Sequence, residues 1–160
     1  MIRVRLALPL LLTASAVTGA QPVRASPDVP PAPRHEIVAQ RWPDGALRER
    51  KQVLRLADGT TVDDGPFERW YIDGTKEYEA VFVLGRKEGT TVRYHRNGKV
   101  ASRDEYHDGK RNGPSVSWNE DGEKVKQENW ADDQPHGTWL VWEDGRVAWT
   151  HTFAHGDPDP

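Results

Sequence analysis

The sequence predicts an all-β fold: an elongated antiparallel meander of tandem β-hairpins with no helical domain. Three ladders of residues predict it. Gly65, Gly89, Gly113 and Gly137 follow one another at intervals of 24. Gly74, Gly98, Gly122 and Gly145 run in phase at 24, 24 and 23, each preceded by Asp or Asn. Phe82, Tyr106, Trp130 and Phe153 repeat at 24, 24 and 23. A fixed period of this size marks a repeat architecture built from one supersecondary unit.

One unit runs from Gly89 to Arg111. Thr90 to His95 alternates around Val92 and Tyr94 and reads as a strand. Asn97-Gly98 is a hairpin turn, because both residues accept positive φ. Val100 to Tyr106 is the second strand, and Asp108 to Gly113 is a longer turn holding Gly109 and Gly113. The next unit repeats these parts with Ser115 to Trp118, Asp121-Gly122 and Val125 to Trp130. Its closing turn carries Asp133 where Gly109 stands before, which predicts a different backbone there. A further unit has Thr138 to Trp142, Asp144-Gly145 and Val147 to Phe153. Upstream lie Phe67 to Tyr71, Asp73-Gly74 and Lys76 to Phe82, with Gly85 and Gly89 in the following turn. A degenerate first unit begins at Trp42-Pro43-Asp44-Gly45 and reaches Gly65 with extra residues around Ala57 to Thr61. Short connections require antiparallel neighbours, since parallel strands need a long crossover.

The ends read differently. Residues 1–20, with Arg3 and Arg5 before an apolar run from Leu6 to Val17 and a small-residue end at Thr18-Gly19-Ala20, have the pattern of a secretory signal peptide. Cleavage after Ala25 is a second possibility. The run is too short for a comfortable membrane span, so a periplasmic or secreted protein without membrane insertion is expected. Residues 21–41 form a Pro-rich flexible leader, 42–156 the repeat domain and 157–160 a disordered tail. With no cysteine, disulfides and Cys-based zinc sites are ruled out. Beyond Ala20, 20 Lys and Arg face 25 Asp and Glu, a net of −5. No basic stripe speaks for nucleic acid.

Side-chain alternation puts Val92 with Tyr94, and Val116 with Trp118, on one face of their strands. Trp70 and Trp142 extend that row, and Phe82, Tyr106, Trp130 and Phe153 form a parallel one. The rings serve first as a packing ladder in place of a conventional core. In a sheet one layer thick they also offer an open aromatic surface. The candidate partner-binding residues are Trp70, Tyr94, Trp118 and Trp142, with Tyr106 and Trp130 behind, and Arg93, Arg103 and Lys126 as a charged rim. Six histidines stand among many carboxylates. His151 and His155 are four apart, but in a strand and the turn after it, so helical pairing fails. No nucleophile elbow, phosphate loop or His-Glu-x-x-His run occurs, and neither catalytic residue, metal nor cofactor is expected.

These features resemble the MORN repeat, in the variant form of bacterial YwqK-type proteins. Tyr94-His95-Arg96-Asn97-Gly98, followed by Tyr106-His107-Asp108-Gly109-Lys110-Arg111-Asn112-Gly113, carries the resemblance, with Gly85-Arg86-Lys87-Glu88-Gly89 and His136-Gly137-Thr138-Trp139. It covers residues 65–156 well and 42–64 poorly. The resemblance implies stacked hairpins with protein-binding roles, and some relatives are labelled antitoxins or immunity proteins. The expectation is therefore a non-enzymatic interaction module whose partner is a protein, a toxin or an envelope component. A self-associating envelope scaffold and a carbohydrate-binding module remain the alternatives.

Overall fold

The computed structural model describes residues 31–154 and 157–158. They form a single antiparallel sheet with no helix among them. The ten long strands are β1 (Arg34–Arg41), β2 (Leu47–Arg55), β3 (Thr61–Trp70), β4 (Lys76–Val83), β6 (Gly89–Tyr94), β7 (Val100–His107), β8 (Lys110–Trp118), β9 (Lys124–Ala131), β11 (Gly137–Glu143) and β12 (Arg146–Ala154). Three two-residue segments complete it: β5 (Arg86–Lys87) on β4, β10 (Gln134–Pro135) on β9, and β13 (Asp157–Pro158) on β12. Spatial order follows chain order throughout, so the sheet is an open meander.

Two kinds of turn alternate along most of the chain. At Trp42, Leu56, Tyr71, His95 and Asn119 the carbonyl accepts from the glycine three residues on, and the amide donates to the carbonyl four residues on. Only the glycine of each, such as Gly74 (φ 85°) or Gly98 (φ 81°), is left-handed. This is a type I turn closed by a glycine bulge. Asn97 therefore does not take the positive φ expected of it. Its role is instead to accept a hydrogen bond from the Lys99 amide at 3.0 Å, as Asp73 does from Thr75 at 2.9 Å. At Leu84-Gly85, Asp108-Gly109, Asp132-Asp133 and Asp144-Gly145 both central residues are left-handed, the pattern of a type I′ turn.

This pattern corrects two expectations and explains a third feature. Asp108 to Gly113 is not one long turn: the strand resumes at Lys110 and Gly113 marks an irregularity inside it. Asp133 (φ 67°) has the same kind of left-handed backbone as Gly109 (φ 84°), not a different one, helped because Asp tolerates that region better than most residues. Asp144-Gly145 is a two-residue turn where its predecessors have three, and this accounts for the 23-residue interval.

The glycine and aromatic ladders are one feature. Gly65 pairs across the sheet with Phe82, Gly89 with Tyr106, Gly113 with Trp130 and Gly137 with Phe153. Each glycine has positive φ and lies where the strand carries extra residues. Each glycine's left-handed backbone lets the strand take up its extra residues opposite the ring. Neighbouring units are also joined at their turn tips. The amides of Gly85, Gly109 and Asp133 donate to the carbonyls of Asp63, Lys87 and Arg111, each 22 residues earlier, at 2.7, 2.9 and 3.0 Å.

The ends depart from expectation. The leader does not run to residue 41: Arg34–Arg41 is the first strand, paired with β2. A hairpin turn at Asp44-Gly45 needs an incoming strand, and Glu36 ties it to Arg55 at 2.8 Å. Asp157 and Pro158 of the expected disordered tail pair with Ala154 and Phe153. The signal-peptide reading and most of the leader lie outside the described residues.

With one layer there is little interior. Val53, Phe67, Tyr78, Ala80 and Val92 are the buried hydrophobic residues, and Phe67, Tyr78 and Ala80 cluster with Phe82 packed against them. The glycines therefore carry much of the specification. A Cβ on Gly65 (φ 123°) would lie 2.7 Å from Gln52 Cδ and 2.9 Å from Gln52 Cβ, whereas one on Gly89 (φ 74°) would meet nothing within 4 Å. Gly89→Ala should cost about 1–2 kcal/mol through backbone strain alone, and Gly65→Ala clearly more. Urea unfolding of both variants measures the difference, and equal losses would contradict the packing argument.

Candidate functional site

The register assigns the candidate residues to faces. Val92, Arg103 and Val116 are successive cross-strand partners on β6, β7 and β8. Tyr94 and Trp118 stand two residues further along β6 and β8, on the same face. Trp70 and Trp142 occupy the equivalent places on β3 and β11. In each case the partner strand contributes one extra residue next to the ring: Trp70 pairs Lys76, Tyr94 pairs Val100, Trp118 pairs Lys124 and Trp142 pairs Val147, each at a register shift. The four rings are half-buried and Arg103 is exposed.

Polar contacts tie the first half of this Trp118 face together. The Arg50 guanidinium lies 5.7 Å from the Trp70 ring centroid and donates twice to Glu68, at 3.0 and 2.5 Å. Lys76 Nζ donates to both Glu68 and Glu79 at 2.9 Å, and the Tyr94 hydroxyl donates to Glu79 at 2.6 Å. Burial raises the affinity of Glu79 for a proton, but the Tyr94 hydroxyl and Lys76 outweigh it and hold the carboxyl below its ordinary range. Glu68 is likewise pulled up by burial and held down overall by Arg50 and Lys76. Hydrogen bonds to Glu79 and Glu68 raise Lys76. Burial and then Glu79 raise Tyr94. Further along, Trp118 and Arg103 line a shallow hollow with Val100 and Lys99 between Gly98 and Gly122. Lys124 Nζ then lies 5.1 Å from the Trp142 ring.

The remaining candidates are on the opposite face. Arg93 follows Val92 by one residue and reaches the Tyr78 ring, with Cζ 5.4 Å from its centroid. Tyr106 is approached by Lys87 at 4.5 Å, and Trp130 by Arg111 at 3.4 Å. Lys126, also placed on the rim, pairs with Glu128 at 2.6 Å and lies 5.5 Å from Trp139. The expected single rim is thus divided between two faces: Arg103 stays with the Trp118 row, while Arg93, Lys126, Tyr106 and Trp130 belong to the Tyr78 face.

That second face holds rings the sequence reading did not select. Phe67 contacts Tyr78 and Phe82, both at 5.7 Å between centroids. Trp139 contacts Trp130 at 4.9 Å and Phe153 at 4.6 Å, and its Nε1 donates to the Asn129 carbonyl. His151 stacks on Trp149 at 5.4 Å and meets Phe153 edge-on. His151 is thus placed among rings, while His155 lies outside the described residues. Alternation from Phe82 and Phe153 would have brought Tyr78, Trp149 and His151 onto this face. Between the ring clusters, Asp104 accepts from Ser102 at 3.1 Å and Ser115 at 2.5 Å. No three His, Asp or Glu side chains among the described residues are grouped to hold a metal.

A scan against protein-family models finds no match for the chain, and a search of curated proteins finds no significant match.

The Lys76 cluster carries a pH signature. Glu68 and Glu79 have folded-state pKa values below their ordinary 4.5. The stability they contribute is full above 4.5 and is lost as pH falls through the lower folded values. Lys76→Gln should give a shallower fall in urea midpoint on acidification than wild type. Superimposable acid limbs would show that the ammonium does not hold the two carboxylates down.

Proposed function

We propose that the chain is an exported, non-enzymatic protein-interaction module of MORN-like repeats that lays a partner across the Trp118 face. One observation carries the reading. Trp70, Tyr94, Trp118 and Trp142 recur on one face of a single-layer sheet, each half-buried, with no second layer of described residues over them. Large rings beside arginine are the side chains that most often dominate binding energy in protein interfaces. The Arg50–Glu68–Lys76–Glu79–Tyr94 chain of contacts fixes part of that surface before a partner arrives, which lowers the ordering cost of binding.

The resemblance to the YwqK-type repeat supports a sharper form, an immunity protein that occupies a toxin in the periplasm. The signal-like residues 1–20 support the location. A structural, self-associating role draws on a different observation. The edge strand β1, with no partner beyond β2 among the described residues, exposes Ile37 by 65% and Val38 by 36%, and such an edge can add a strand from another chain.

Affinity capture from an envelope extract tests the leading reading. Wild type should enrich a defined partner, and Trp118→Ala and Tyr94→Ala should lose most of it while keeping a cooperative thermal transition. Undiminished capture by folded variants would remove the Trp118 face from the proposal. Light scattering of the purified chain separates the edge-pairing alternative, which requires concentration-dependent assembly.

A further inference from the structure

The Tyr78 face carries a feature that the proposed function does not use. Three cations converge on one ring. Arg69 Cζ is 5.7 Å, Arg93 Cζ 5.4 Å and Lys87 Nζ 5.8 Å from the Tyr78 centroid, on strands β3, β6 and β5. They surround an open hollow floored by Phe67, Tyr78 and Phe82. Acidic neighbours are few. Arg69 meets Glu49 only at 3.9 Å, and Glu77 also lines the hollow. Lys87 and Arg93 have no salt bridge among the described residues, and Arg93 is exposed. By contrast Arg50, Lys51, Arg55, Lys76, Arg86 and Lys126 each lie within 2.9 Å of a carboxylate oxygen.

We infer that this hollow is a binding site for a carboxylate-bearing peptide segment, with the acid held by Arg93, Lys87 and Arg69 and an adjoining apolar side chain set on the rings. Charge complementarity selects the occupant. Lys87 and Arg93, with no salt bridge among the described residues, repel one another, and a carboxylate accepting from them forms the stronger, charge-assisted class of hydrogen bond. The phenyl floor favours an apolar side chain beside the acid. Glu49 and Glu77 oppose a polyanion, as does the chain's overall charge of −3, so nucleic acid and polyphosphate fit the site poorly. Cations already seated against a ring also need little reorganisation to receive the ligand.

The test is an NMR titration of the isotope-labelled full chain with the blocked dipeptide N-acetyl-Phe-Glu-amide, its Gln analogue and inorganic phosphate. The Glu dipeptide should shift the amides of Tyr78, Lys87 and Arg93 and the Nε–H signals of Arg69 and Arg93 saturably. The Gln analogue should bind about tenfold more weakly. Arg93→Gln, at an exposed side chain, and Lys87→Gln, at a half-buried one, should weaken binding several-fold while the thermal transition stays cooperative. Trp118→Ala, on the other face, should bind the dipeptide like wild type, so failure of either surface is read independently of the other. The inference is overturned if the Glu dipeptide produces no saturable shift, if both dipeptides bind equally, or if neither substitution matters. It is also overturned if phosphate saturates the same signals at lower concentration than the dipeptide.

Discussion

The pairing of a left-handed glycine with an aromatic ring across four of the five hairpins is the constraint on which the rest depends. Gly65 with Phe82, Gly89 with Tyr106, Gly113 with Trp130 and Gly137 with Phe153 occur once per unit. The glycine lets the strand absorb extra residues without a side chain in the way, and the ring supplies the area that glycine lacks. Register is otherwise weakly specified in a sheet with no second layer among the described residues, because few side chains are buried for a slip to expose. Here a slip of one residue would put a left-handed φ on a residue that resists it.

A one-layer sheet cannot draw its stability from a large apolar interior. It uses ion pairs and cation–ring contacts spread along both faces instead. Most are solvent-exposed, and exposed pairs contribute little singly. Connected groups such as Arg50, Glu68, Lys76, Glu79 and Tyr94 act together, and their geometry is set by strand spacing more than by their own attraction. The same arrangement leaves rings half-exposed beside cations, which is the chemistry of a recognition surface. Fold and the proposed recognition surface thus draw on one set of side chains here.

Much of this was legible in the sequence, for identifiable reasons. The glycine ladders and short connections gave the meander, because turn chemistry is local. Strict alternation brought Tyr94 and Trp118 together, because the extra residues beside them, Ala101 and Val125, fall on the partner strands. What escaped was pairing. That Gly113 opposes Trp130 depends on register, which spacing alone does not supply. Arg93 was grouped with Tyr94 because they are adjacent in sequence, although adjacency in a strand means opposite faces. Arg34–Arg41 was absorbed into the leader because five prolines precede it and it lacks the repeat's glycine. Asp133 keeps the left-handed backbone of the glycine it replaces, a tolerance of Asp that composition alone does not signal.

The hydrogen bonds from Gly85, Gly109 and Asp133 back to the preceding unit couple each hairpin only to its neighbour. Such a chain behaves as a row of dominoes more than as a single block, with melting free to begin at either end and travel inward. It also makes length an evolvable variable. Duplicating or deleting one whole 24-residue segment would keep the backbone pattern of turns and bulges in phase and change side-chain contacts only at the junction. The length of the sheet could then be tuned by gene duplication without a new fold having to be found.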